Sequence, residues 1–173
     1  MRKTILGVAA TAAVIGIGGA VVAGGFQYRT TATGAEEVPV RSTTAEAKIN
    51  IKVGKDAASY NLRFTEPISN VTQAHLHKGA VGVNGSIAVW LYPSAPPLLL
   101  VPGVSEGRFV KSTFDASDLC YLPTAPYCVE GAPDSDAFVA DLDAGNLYLN
   151  VHTSAFPGGE VRGQVHPNHQ HDD

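Results

Sequence analysis

The sequence predicts an antiparallel β protein with one short helix. Apolar and polar residues alternate with a period of two at residues 45–53, 60–64 and 147–152. This alternation is typical of strands that bury one face and expose the other. Gly54-Lys55-Asp56 separates the first two stretches and is a turn signal, so they are predicted to form a β-hairpin.

Further strands are predicted where β-branched and aromatic residues lie between glycines and prolines. They cover residues 26–33, 71–77, 87–92, 107–115 and 161–165. Pro67 is expected to end the hairpin, because proline cannot donate to a strand ladder. Asn84-Gly85 is expected to form the tight turn into the strand at residues 87–92.

Two segments are predicted to lie outside the sheet. Residues 93–102 contain Pro96-Pro97 and three leucines at positions 98–100, and are expected to form a loop with an apolar plug. Pro133-Asp134-Ser135-Asp136 offers capping residues before residues 137–142 and Gly145 a stop after them, so one short helix is expected there. Its Phe138 and Leu142 would face the sheet.

Length and composition favour a single domain of 173 residues with enough apolar sequence, 45% of the chain, to bury a core. The formal net charge is −4, and no basic stripe occurs. Binding to nucleic acid is therefore not expected.

The first 23 residues predict an export signal. Arg2 and Lys3 form a positive start, residues 5–22 carry no charge, and small residues around Ala23 offer a cleavage site, so the mature chain would begin near Gly24. The alternative is an uncleaved anchor, since a spanning helix needs about 20 apolar residues. An exported location, either secreted, periplasmic or on the cell surface, is expected, with membrane contact only if the segment is retained.

Cys120 and Cys128 are the two cysteines of the chain. In an exported protein, a pair separated by seven residues is predicted to form a disulfide across a surface loop. The alternative, a thiolate metal site, would need a nearby histidine or a closer cysteine spacing, and the sequence has neither.

Three histidines are the candidate metal ligands. His75 and His77 lie two residues apart on one predicted strand and so project from the same face, about 6.5–7 Å apart along it. His152 lies on the face of its strand opposite Leu147, Leu149 and Val151. If the two strands are neighbours, the three imidazoles converge, and without a soft ligand they suit Cu(II) or Zn(II). The structural alternative is that they hydrogen-bond loop carbonyls or Glu160.

Acidic and basic residues near these motifs have two interpretations each. Glu160 and Arg162 are candidates for a carboxylate that orients an imidazole and a guanidinium that attracts an anion, but a salt bridge between them is favoured. Glu36 and Glu37 are expected to be solvated. A polar tail of residues 166–173, with histidines at 166, 169 and 171, is expected to be solvated and to bind metal only weakly.

The motif His75-Leu76-His77-Lys78-Gly79 with Asn84-Gly85, and the later Asn150-Val151-His152-Thr153 with residues 160–165, resemble the CHRD domain, named after chordin. The resemblance covers residues 26–165. It implies an immunoglobulin-like β-sandwich or barrel with a limited likeness to Cu/Zn superoxide dismutases, which also carry an H-x-H copper pair. The sequence departs from those enzymes because it lacks a bridging histidine and a recognisable zinc loop.

Two functions are therefore expected. The first is an exported metal-binding protein that acts in copper handling or superoxide disproportionation through a mononuclear three-histidine site. Copper is the expected cofactor and zinc the alternative. The second is a metal-free extracellular binding or scaffold module with a protein partner, as chordin's binding of growth factors suggests. The resemblance defines no enzymatic reaction.

Overall fold

A computed structural model of the chain describes residues 26–120, 122, 124–129 and 132–168. Within these residues the chain forms ten β-strands and one α-helix. The strands are β1 (Phe26–Thr33), β2 (Glu46–Val53), β3 (Ala57–Lys78), β4 (Ser86–Tyr92), β5 (Val101–Asp115), β6 (Cys128–Val129), β7 (Ala132–Pro133), β8 (Leu147–Thr153), β9 (Val161–Gln164) and β10 (His166–Pro167), and the helix is α1 (Ser135–Asp143).

Eight of these strands belong to one antiparallel sheet that closes on itself. The hydrogen-bonded order is β10-β1-β2-β3-β8-β9, and β9 pairs again with β1 through Thr33 and Arg162. The predicted antiparallel β architecture with one short helix is confirmed. The pairing gives a closed, barrel-like arrangement, and does not confirm a sandwich of two sheets.

The long strand β3 holds the barrel together because its two halves have different neighbours. Its first half pairs with β2 and β5, and its second half pairs with β8 and β4. The prediction that Pro67 ends the strand is wrong. The register with β5 shifts between Phe64 and Ile68, so Pro67 lies in an irregular stretch of the ladder where its missing donor is tolerated.

The core lies inside the barrel and is built from the apolar positions of the alternating strands. Ile49, Leu62, Leu76, Leu149 and Val151 are all fully buried there. Side chains alternate across a strand, so the residues on either side of Leu76 in β3 point to the outer face of the barrel. The residues on either side of Val151 in β8 point the same way. The candidate histidines lie on that outer face.

The helix and the hairpin form as their local signals predict. Asp134 caps α1 by accepting a 2.8 Å hydrogen bond from the backbone N–H of Ala137, and Gly145 follows the helix with φ of 69°. Phe138 and Leu142 are buried against the sheet. The β2–β3 hairpin pairs Val53 with Ala58 across the predicted turn.

Two loop predictions are wrong. Asn84-Gly85 is not a tight turn: residues 79–85 form a longer loop between β3 and β4, in which Gly82 takes the positive φ of 75°. Leu98, Leu99 and Leu100 do not form a plug, since they are 55%, 57% and 48% exposed. The prediction that residues 93–102 lie outside the sheet holds only to residue 100, because Val101 and Pro102 belong to β5.

The predicted export signal, and His169 and His171 of the predicted tail, lie outside the described residues. Within the described part of the chain, no helix has the length and apolar content needed to cross a membrane.

Candidate metal centre

The register between β3 and β8 brings the three predicted histidines to one face of the sheet. Gln73 pairs with His152, His75 with Asn150, and His77 with Tyr148. Residues paired across an antiparallel ladder project from the same face. One nitrogen from each imidazole can therefore be chosen so that all three lie within 4.8 Å of one another.

Two backbone carbonyls select the tautomers of this cluster. His77 Nδ1 lies 3.0 Å from the carbonyl oxygen of Gly85, and His152 Nδ1 lies 2.9 Å from that of Pro157. A carbonyl only accepts, so each Nδ1 carries the proton and each Nε2 keeps its lone pair. The two rings thereby present the nitrogen that a metal ion needs.

His75 completes the cluster. Its Nδ1 lies 3.3 Å from His152 Nε2, and its ring meets those of His77 and His152 at centroid distances of 5.4 and 5.1 Å. Ligand nitrogens about 2.0–2.1 Å from a tetrahedral ion are separated by roughly 3.3–3.4 Å, so the spacing within this pair fits a first-row metal.

The imidazoles are shielded from solvent. His75 is 1% and His152 7% exposed, and the Nε2 atoms of His75 and His77 are buried without a hydrogen-bond partner among the described residues. If His75 offers Nδ1 as a ligand, its Nε2 carries the proton, so of these two atoms only His77 Nε2 is an unpaired acceptor.

Burial also keeps the cluster neutral. Desolvation, with help from the neighbouring imidazoles, lowers the pKa of His75 to about 2, and desolvation lowers the pKa of His77 to about 4. Desolvation likewise lowers the pKa of His152. The reference pKa of about 6.5 for free histidine therefore overstates the pH at which protons would compete with a metal ion.

The loop of residues 79–85, here called the cover loop, closes over this face. Arg162 holds it with three hydrogen bonds, to the carbonyls of Ala80 and Val83 at 2.9 Å each and to Asn84 Oδ1 at 3.1 Å. Gln164 adds a 2.8 Å bond to the carbonyl of Gly79. Because Gly85 belongs to the same loop, this clamp also positions the carbonyl that selects the His77 tautomer.

Tyr148 lies between the clamp and the cluster. The Arg162 guanidinium carbon lies 3.6 Å from the centroid of the Tyr148 ring, and that ring stacks on His77 at 5.0 Å with a 10° interplanar angle. On the other side of β3, Trp90 packs edge-on against His75 at 4.3 Å. These two aromatic residues were not predicted, although their place opposite the histidines follows from the registers.

Glu160 and Arg162 do not form the predicted salt bridge. Both oxygens of Glu160 accept hydrogen bonds from hydroxyl groups, one from Thr43 at 2.8 Å and one from Thr153 at 2.7 Å. Arg162 is 2% exposed and is engaged by the cover loop. Neither side chain contacts an imidazole directly, and their predicted role beside a metal remains a prediction.

The prediction that Glu37 is solvated is wrong. Glu37 is 4% exposed, and Asn150 Nδ2 donates a 2.6 Å hydrogen bond to its Oε1. Desolvation raises the pKa of Glu37, although Asn150 and the guanidinium groups of Arg162 and Arg41 oppose the rise. Glu36, its neighbour, is exposed as predicted.

The cysteines lie apart from the histidine cluster. In the structure Cys120 and Cys128 are thiols, and the Cys120 sulfur lies 3.7 Å from the carbonyl oxygen of Tyr127. The potential metal-ligand group found among the described residues contains neither of them, nor the exposed His166 of β10. Their disulfide stays a prediction for the oxidised protein.

Comparison with known proteins identifies the family of the chain. The model of the CHRD domain family matches residues 28–165, a span that includes the three histidines, the cover loop and Arg162. The searches of curated proteins and of solved structures gave no match. Since the family model matches well over half of the chain, the protein belongs to the CHRD domain family.

Proposed function

We propose that this protein is an exported copper-binding domain in which His75, His77 and His152 hold one copper ion, with zinc as the alternative metal. The observation that carries the proposal is the convergence of the three imidazoles: one nitrogen from each lies within 4.8 Å of the others, and the Nδ1 atoms of His77 and His152 are engaged by backbone carbonyls. Imidazole suits both metals, and copper stands above zinc in the order of affinities for divalent ions.

The shielding of the site favours copper handling over turnover. A catalytic metal keeps an open position for its substrate, whereas here the cover loop and the aromatic rings enclose the nitrogens. We therefore infer a carrier or buffer of copper, with superoxide disproportionation as the less favoured role. CHRD domains occur in extracellular proteins, which supports the exported location that the leader pattern predicts.

The test is metal content. Purified protein loaded with copper or with zinc and then desalted should retain one equivalent, and His75→Ala, His77→Ala and His152→Ala should each lose most of it. His166→Ala is the matched control, because His166 is exposed and outside the cluster. Equal metal content in all five proteins would remove the site, and no retained metal in any of them would support a metal-free module.

The metal-free alternative has one observation in its favour. Leu98, Leu99 and Leu100 are exposed and consecutive, and Val104, close to them in the sequence, is 70% exposed. Grouped exposed apolar side chains are typical of protein-binding surfaces. The metal measurement above separates the alternatives without a known partner. Intact-mass analysis of the exported protein tests the leader: a mass that still includes residues 1–22 would contradict cleavage.

A further inference from the structure

We infer that the three-histidine site selects monovalent copper, Cu(I), over divalent Cu(II) and Zn(II). The inference rests on the proposed function and adds the charge of the ion that the site accepts. It follows from the electrostatic setting of the cluster rather than from ligand softness, since all three ligands are imidazoles.

The ligand set brings no negative charge to the metal ion. The grouping of candidate ligand atoms in the described residues consists of three imidazoles, with no carboxylate or thiolate. The Nδ1 atoms of His77 and His152 lie against backbone carbonyls, which carry no formal charge. The metal ion would therefore keep its full charge inside the site.

Charged groups near the cluster cancel. Thr153, the residue after His152, donates its hydroxyl to Glu160, and Asn150, which pairs with His75, donates its amide to Glu37. Against these acids stand Arg162, one aromatic ring away from His77, and Arg41, whose Nε donates to the carbonyl of Gly159 at 3.3 Å. Two carboxylates facing two guanidinium groups leave no net negative charge to offset a metal ion.

The site is also shielded from solvent. His75 is 1% exposed, and the Nε2 atoms of His75 and His77 are shielded from solvent. The Born cost of moving an ion from water into a protein interior rises with the square of its charge, so a divalent ion pays about four times the cost of a monovalent ion of the same size. Hydroxide or chloride could offset a divalent ion in an open site, but the cover loop closes this one.

A single-charge variant tests the electrostatic cause. Gln73 pairs with His152 on the same face, so the two Cβ atoms are about 5 Å apart. Gln73→Glu adds one negative charge beside the site at almost constant shape. It should favour the ion of higher charge, and shift the ratio of Cu(II) to Cu(I) affinity by roughly tenfold or more, which equals about 59 mV or more of lowered copper reduction potential.

The experiment measures competition by chelators. Cu(I) is offered anaerobically from a colorimetric Cu(I) chelate, and Cu(II) and Zn(II) from chelators of known affinity, to wild type, Gln73→Glu and His77→Ala. We expect wild type to bind one Cu(I) at least about a hundredfold more tightly than either divalent ion, and Gln73→Glu to narrow that gap.

The outcomes separate this inference from the proposed function. If wild type binds Cu(II) or Zn(II) as tightly as Cu(I), and His77→Ala loses that binding, the selectivity is refuted but the metal site is supported. Cu(I) selectivity that does not change in Gln73→Glu would overturn the electrostatic cause. Failure to hold Cu(I), Cu(II) or Zn(II) would overturn both the inference and the proposed function.

Discussion

Replacing Arg162 by lysine tests whether the clamp on the cover loop supports both the fold and the metal site. Lysine keeps the positive charge but loses the planar fork that reaches three acceptors at once. In the structure these acceptors are two backbone carbonyls and the side-chain oxygen of Asn84. A lysine ammonium can satisfy one of them well, and leaves the others buried without a donor.

The expected loss of stability follows from the two missing bonds. A hydrogen bond from a charged donor contributes about 1.5–3 kcal/mol, and Arg162 is 2% exposed, so solvent does not replace the bonds. Arg162→Lys should therefore lower the free energy of unfolding by about 3–5 kcal/mol. With an m-value of about 2 kcal/mol/M, the urea midpoint should fall by roughly 1.5–2.5 M.

The assay is urea unfolding of the metal-free protein, followed by copper titration of the folded variant. Arg63→Lys is the matched control, since Arg63 is an exposed arginine of β3 and its replacement should leave the midpoint nearly unchanged. Copper affinity should fall about ten- to a hundredfold in Arg162→Lys, because the loop also carries the carbonyl that orients His77. An unchanged midpoint would refute the clamp, and a lower midpoint with unchanged affinity would refute its link to the site.

Three other predictions use the same measurements. Burial lowers the pKa values of the three site histidines, so below about pH 6.5 the unfolded chain takes up protons that the folded chain does not. The free energy of unfolding of the metal-free protein should therefore fall toward pH 5 by up to about 1.4 kcal/mol per pH unit for each imidazole, and the raised pKa of Glu37 should offset part of this loss. A flat profile of stability against pH would contradict the prediction. Gly85→Ala would place a Cβ 1.6 Å from the backbone oxygen of Lys78 and should lower the free energy of unfolding by at least about 2 kcal/mol. In Gly82→Ala the Cβ meets no atom within 4 Å, so the positive φ alone should lower it by about 1 kcal/mol. Similar urea midpoints for the two variants would argue against the close approach at Gly85. Serine at both Cys120 and Cys128 should lower the stability of the oxidised protein by no more than about 2–3 kcal/mol and leave copper content unchanged, and loss of the metal would place the cysteines in the site.

Local sequence signals predicted the elements whose geometry depends on local chemistry. Strand β1 at Phe26–Thr33 and strand β8 at Leu147–Thr153 begin and end where their patterns indicate. The α1 helix begins after the Asp134 cap, because a side-chain oxygen satisfies an N–H that the first turn leaves unpaired. Such signals are complete within a few residues, so no knowledge of the rest of the chain is needed.

Predictions failed where a distant partner decides the outcome. Pro67 lies within β3 because the ladder with β5 is irregular there, a fact that no property of the β3 sequence reveals. Glu37 is buried because Asn150, 113 positions later, donates to it. Asn84 serves the clamp of Arg162 and donates to the carbonyl of Val38 at 2.9 Å, instead of forming a tight turn.

The candidate site was predictable in its ligands but not in its enclosure. Strand parity placed His75 and His77 on one face and His152 on an outward face, and the pairing of β3 with β8 then brings them together. The cover loop, by contrast, depends on Arg162 and Gln164 reaching back by about 80 positions to carbonyls of residues 79–83. Backbone carbonyls carry no sequence identity, so a pattern search cannot find them.

The cover loop therefore encloses a polar layer of side chains on the outer face of the barrel. This layer is separate from the apolar core inside the barrel. A face of His, Asn, Tyr and Arg side chains would ordinarily be left to solvent, yet here it is covered, and most of its donors and acceptors are matched by loop carbonyls and acids. The Nε2 atoms of His75 and His77 have no hydrogen-bond partner among the described residues. An unsatisfied buried polar atom costs about 1–3 kcal/mol, so apolar residues at these positions would give a more stable domain in the absence of a ligand. The proposed metal ion would account for these unmatched imidazole nitrogens, which the needs of the fold do not explain.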